Sequence, residues 1–435
     1  MPSSAILGVC GLLVGAACLM ASQSLALAAD GSFQLVRVLA TEDVWGLDER
    51  ILGAWAHQVA VVIAVRAGVT DTQILSILLG VGHFLVPAIA WSLAILLSRA
   101  DRLVCIAVAM IAGLSSGATW FISVNEVVLA APFTVVVAVL LWQPRAWGWH
   151  DVALAVATSA VLVACYETAV LTGSVLAFWA VWRAIRAGTL PERLGCATVA
   201  ALSVVSVTVA SGGSSAGANP THSQSFLYYL VSFEPWPFYV ALAGIATFVA
   251  ALGPWLVGTA RRVALAFGSL ALIVAVGGFE PNAFTGLQVR GGVAVAALAI
   301  EVFLFWRWIR ERERMGERLD REPRGSRAVA GVLAAVPVVF VASMLAVSLQ
   351  PLRSWSRSLD AFRVEVDRSQ GVVEAVSVLP ESRRAVLWGW TSSSLSLLVR
   401  GNAEAGILVD RNPSIVPFPP HEAREQLADE YVWDP

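Results

Sequence analysis

Apolar positions along this chain do not alternate with polar ones. They run on in stretches of about twenty residues that recur over most of its length. Such stretches fall near 3–29, 72–98, 103–122, 124–142, 151–165, 168–186, 194–211, 236–258, 263–278, 288–309 and 328–349. A helical run of that length crosses a hydrocarbon core of about 30 Å. The pattern predicts an all-α polytopic membrane protein with about 11 transmembrane helices. Tight breaks at 122–124 and 165–168 predict kinked pairs or half-helices. The run 51–67 carries Trp55, His57, Gln58 and Arg66, and is expected to lie along the membrane interface rather than to cross. After residue 350 the charge rises and prolines cluster in NPSIVPFPPHE, while alternation at Gly371–Leu379 and Ala405–Val409 predicts strands. The expected organisation is a transmembrane domain over 1–349, with an outer loop and interfacial helix at 30–71 and a cytoplasmic basic loop at 307–327. A small extracytoplasmic α+β segment, 350–435, follows and is too small for a large core of its own.

Composition agrees with that class. The chain is 57% hydrophobic and 14% charged, against about 25% charged residues in soluble domains, and its mean hydropathy is +0.73. A net charge of -2 gives no basic surface for nucleic acid. Every basic residue is arginine, a side chain suited to phosphate. The five cysteines, Cys10, Cys18, Cys105, Cys165 and Cys196, lie in or beside apolar runs without metal-ligand spacing, and read as small packing residues. Residues 3–29 end in Ala26-Leu27-Ala28, which looks like a signal-peptidase site. The absence of a basic leading segment makes them an expected uncleaved first span.

Arginines set the expected orientation. Arg99 with Arg102, Arg145, Arg183 with Arg186 and Arg193, and Arg261-Arg262 occupy short loops, and 307–327 holds eight arginines against five acidic residues. Even numbers of spans separate these five loops, so all fall on one cytoplasmic face, provided that 51–67 does not cross. The N-terminus is then inside and the C-terminus extracytoplasmic, as in a multi-pass protein of the inner (cytoplasmic) membrane. Asp30, Glu42, Asp43, Asp48, Glu49, Glu126, Glu167, Glu234 and Glu280 sort to the outer face, with Arg37, Arg66, Arg290 and the histidines His57, His83 and His222. Carboxylates within apolar sequence, such as Glu126 and Glu167, usually face a cavity or a partner. Any site is expected to open outward. The histidines form no ligand spacing and read as structural, and the aromatics near 226–239 read as an interface belt or a sugar-stacking platform.

No Walker loop, dinucleotide fingerprint, HExxH, paired CxxC or GxSxG occurs in a usable context. Chemistry here would need a substrate already activated and delivered through the lipid. The segment after the first run, Asp30-Gly31-Ser32-Phe33-Gln34-Leu35-Val36-Arg37, is similar to the first outer loop of GT-C superfamily glycosyltransferases. Asp30 matches the family's aspartate, Phe33 its aromatic and Arg37 its arginine, while Gly31 stands where many relatives carry a second acidic residue. An interfacial helix and a short turn into the second span follow in both. The resemblance covers about 45 residues. It implies transfer of a sugar from a polyprenyl-phosphate donor, with Asp30 as the base that activates the acceptor hydroxyl.

The residues support the same chemistry. A hydroxyl nucleophile needs a base, and a departing phosphate needs cations. Asp30 can serve as the first; Arg37 or Arg290 can serve as the second. Glu126 and Glu167 are candidate substrate-binding groups or interhelical hydrogen-bonding groups, and Asp48-Glu49 is an alternative catalytic pair. No cofactor is implied beyond a divalent metal that such a transfer could use. The expected partners are the lipid donor, an acceptor and membrane lipids. Two rival expectations are a transporter or flippase for a lipid-linked or anionic solute and a non-catalytic membrane subunit.

Overall fold

The computed structural model describes residues 1–28, 30–45, 51–118, 126–163, 165, 169–215, 236–252, 289–314, 327–379, 391–409, 427 and 430–433. The chain is mostly helical, with very little strand. The expected run at 263–278 lies outside the described residues. In order come α1 (Ser3–Ser22), α2 (Gly31–Thr41), α3 (Ile51–Arg66) and α4 (Thr72–Gly80). A π-helical turn (Val81–Leu85) joins α4 to α5 (Val86–Leu97), and five further helices follow: α6 (Arg102–Ala118), α7 (Glu126–Trp142), α8 (Trp149–Leu162), α9 (Ala169–Ile185) and α10 (Leu190–Ser215). Then come α11 (Trp236–Leu252), α12 (Val289–Arg314) and α13 (Arg327–Arg368). Among the described residues three helical stretches, Ser3–Ser22, Thr72–Leu97 and Leu190–Ser211, are long and apolar enough to cross a membrane, and seven further apolar helices are shorter.

Small residues let these helices approach, because apolar side chains alone give no preference for helix over lipid. A Cβ on Gly113 would stand 2.8 Å from Val341 and one on Gly117 2.9 Å from Met344, so this Gly-xxx-Gly pair seats α13 directly on α6. Gly113→Leu is expected to force the pair apart, at a cost of about 1–3 kcal/mol. The measurement is the melting temperature in detergent, and an unchanged value would mean that the two helices do not touch.

α13 is 42 residues long, about 63 Å at 1.5 Å per residue. It runs without a break past position 349, the expected end of the transmembrane domain, and on into the segment expected from 350. Its later half buries Leu352, Trp355, Leu359, Phe362 and Val366, spaced three and four apart along one stripe. That stripe carries the helix onward where the sequence turns polar. Beyond it lie β1 (Val372–Glu374), α14 (Ala375–Val378), α15 (Ser392–Val399) and β2 (Ile407–Val409). β1 and β2 pair in parallel, Val372 opposite Ile407. Both expected strand regions thus hold a strand, although the first turns helical after Glu374.

Two ends of the bundle differ in chemistry. At one, Asp101 at the start of α6 accepts from Arg307 of α12 and caps Leu103 and Val104 N–H at 2.8 and 3.1 Å. Also there, Arg183 reaches from α9 to the carbonyls that end α7. At the other, Trp355 and Ser356 of α13 donate to Gln23 at the end of α1 (3.2 and 2.8 Å), and Thr72 donates to the carbonyl of Leu398 in α15. The second end also gathers α2 and the 430–433 strand-like segment, since Thr72 N–H donates to Val432 and Trp433 N–H to Arg400.

Candidate functional site

The chain leaves α1 through a turn in which Ser24 is left-handed (φ 52°), then three buried residues, Leu25–Leu27. Ser76 of α4 bonds Ser24 through their hydroxyls at 2.6 Å, fixing where α2 starts. Asp30 occupies the N-cap of α2, half-buried, and its carbonyl accepts the first helical bond from Gln34 N–H at 2.9 Å. A carboxylate at a helix N-terminus is favoured by the helix dipole. Its side chain makes no capping bond.

The spacing of the segment acquires meaning once it is helical. Positions 30, 33 and 37 are three and seven residues apart, so they share one side of α2, with about 10 Å of helix axis from Asp30 to Arg37. All three are half-buried, while Ser32, Gln34, Leu35, Val36, Val38 and Leu39 face the interior. The Arg37 guanidinium lies over the Phe33 ring, 5.4 Å from its centroid, and Phe33 meets Trp45 edge-on at 5.0 Å. Trp45 is itself held by the buried Gln58 of α3, which accepts from its N–H at 2.8 Å and donates to its carbonyl at 2.9 Å. Arg66 closes the same loop by donating to the Glu42 carbonyl at 3.0 Å. Its 3.6 Å pair with Asp43 is exposed and contributes little.

Against α2 packs α15, all eight of whose residues are buried. Ser396 of this helix donates to Leu408 of β2 and accepts from its N–H at 2.9 Å. The end of the bundle that holds Gln23 and Thr72 therefore brings together α2, α4, α15 and the end of α13, with the half-buried Asp30–Phe33–Arg37 stripe on α2.

The other expected site residues are only partly placed. Glu126 begins α7 and Arg290 is the second residue of α12; Asp48, Glu49, Glu167 and His222 lie outside the described residues. Among the described residues, no group of three or more His, Cys, Asp or Glu side chains converges on a point. None of the five cysteines, all among the described residues, is in a disulfide.

One pairing was not foreseen from spacing. His57 of α3 and His83 of the π-turn bring their rings to 4.0 Å, both fully buried, and neither ring nitrogen of His83 has a hydrogen-bond partner among the described residues. The contact depends on Gly82, where a Cβ would stand 2.0 Å from the His57 carbonyl oxygen. The π-turn supplies the extra residue that rotates His83 inward. His83 also lines a cavity of about 50 Å³ between α1, α5, α6 and α7, whose wall is otherwise mostly apolar, with Leu13, Met20, Phe84 and Trp91. Asp30 does not line it. The two polar features are separate.

No family model matches the chain, no curated protein matches it, and no solved structure matches it.

Proposed function

We propose that this protein is a GT-C-type membrane glycosyltransferase, moving a sugar from a polyprenyl-phosphate carrier to an acceptor at the extracytoplasmic face. The observation that carries this reading is the single stripe on α2 that holds a carboxylate, an aromatic ring and a guanidinium in order. In the proposed reaction Asp30 takes the acceptor's hydroxyl proton as its oxygen attacks the anomeric carbon. The bond from that carbon to the carrier phosphate breaks, and Arg37, with Arg290, balances the charge of the leaving phosphate. Phe33 offers a face against which a sugar ring can stack. Glu126 and Glu167 are proposed to hold substrate hydroxyls. The assay is transfer of labelled sugar by purified protein from polyprenyl-phosphate donors. No transfer with any donor would overturn the reading.

The same proposal places the Asp30 end outside and the arginine end in the cytoplasm. Two exposed positions test it in a cysteine-free background: Gly188, in the loop between α9 and α10, and Glu404, before β2. An impermeant thiol reagent added to intact cells is expected to label Glu404→Cys and to spare Gly188→Cys. The opposite pattern would invert the topology and move Asp30 to the cytoplasm.

A second reading, movement of a lipid-linked or anionic solute, is favoured by His83 and Glu301, titratable groups buried inside the bundle whose ring nitrogens and carboxyl oxygens have no hydrogen-bond partner among the described residues.

A further inference from the structure

Glu301 sits at the middle of α12, in an otherwise apolar stretch of that helix, AVAALAIEVFLF. It is fully buried, and neither carboxyl oxygen has a hydrogen-bond partner among the described residues. The helices packed against α12 are α6, α7, α9 and α11. Their charged residues are few: Arg102 at the first residue of α6, Glu126 at the first of α7, Arg183 near the end of α9, and none in α11. Arg183 is committed to Glu192, and Arg307, the next cation along α12 itself, to Asp101. Arg307 is six residues on, about 9 Å along the axis. No described cation stands level with the carboxyl. An ionised carboxylate there would pay the full desolvation penalty of several kcal/mol without a counter-ion, and the neutral acid avoids it.

We propose that Glu301 is a proton-binding site in the interior of the bundle, a carboxylic acid that stays neutral at neutral pH and exchanges its proton with solvent. Its ligand is the proton alone. The site does not rest on the sugar-transfer reading, whose proton is handled by Asp30 at the bundle's end. It is the kind of group that proton-linked movement through a membrane protein requires.

Infrared difference spectroscopy of the full chain tests this, with wild type and Glu301→Gln compared in a detergent free of ester groups. The expected result is loss of one protonated-carboxyl C=O band in the variant, and in wild type a downward shift of that band after transfer to D₂O. Glu301→Gln, which keeps shape and neutrality, is expected to leave the melting temperature unchanged. Loss of carboxylate bands instead, together with a lowered melting temperature, would show an ionised Glu301 paired to a cation and overturn the proposal. A protonated band that never shifts in D₂O would show a sealed acid, and would overturn the exchange.

Discussion

Arg183→Leu is expected to destabilise the protein more than any other single replacement considered, by about 3–5 kcal/mol. Arg183 is 1% exposed, yet every face of its guanidinium is engaged. It donates to Glu192 of α10 at 2.8 Å, to the Leu140 carbonyl at 3.0 Å, to the Leu141 carbonyl, and to the Arg145 carbonyl at 2.9 Å. The Trp147 ring lies 5.0 Å from it, and Trp147 Nε1–H donates to the Leu140 carbonyl as well. The last carbonyls of a helix have no partner within it, so one arginine from α9 completes the end of α7 while tying in α10. Removing it strands a buried carboxylate and several carbonyls together. Chemical denaturation in detergent gives the loss. Arg183→Leu with Glu192→Leu is expected to recover part of it, because the second change removes the orphaned charge. If the double variant is no more stable than the single one, the pair is not coupled.

Asp30→Asn is expected to lower the rate of sugar transfer by roughly 10²–10⁴-fold, the usual contribution of a positioned acid–base group. Asparagine keeps the size and the N-cap preference of aspartate. Stability should therefore stay near wild type while activity collapses. Parallel melting curves and transfer rates separate these outcomes. Equal activity would remove Asp30 from the mechanism and direct attention to Asp48 and Glu49.

What the amino-acid pattern revealed followed from local physics. Long apolar runs became helices with boundaries close to those expected, such as 72–97 and 126–142, because hydrophobic continuity is written in consecutive residues. The Asp30–Phe33–Arg37 spacing was visible too, though its sharing of one face required that 31–41 be helical. What failed to show depended on partners distant in sequence. The polar look of 350–368 concealed a three-and-four stripe that keeps α13 going. Arg183 read as one more loop arginine, when its side chain folds inward to carbonyls more than forty residues away. His57 and His83 carried no shared spacing, and only a π-turn with glycine at its close approach joins them.

The seam between α1 and α13 has a consequence for synthesis. α1 rests against α13, and the bond from Trp355 to Gln23 joins residues 332 apart. A ribosome adding roughly 5–20 residues per second would leave α1 waiting roughly 15–70 s for that neighbour. Through that interval its buried face, with Val9, Leu13 and Met20, must be sheltered by lipid, by α4 and α5, or by the insertion machinery. Chains that stop short of residue 327 would lack α13 against that face, and quality control would meet them as incomplete bundles rather than as shortened proteins.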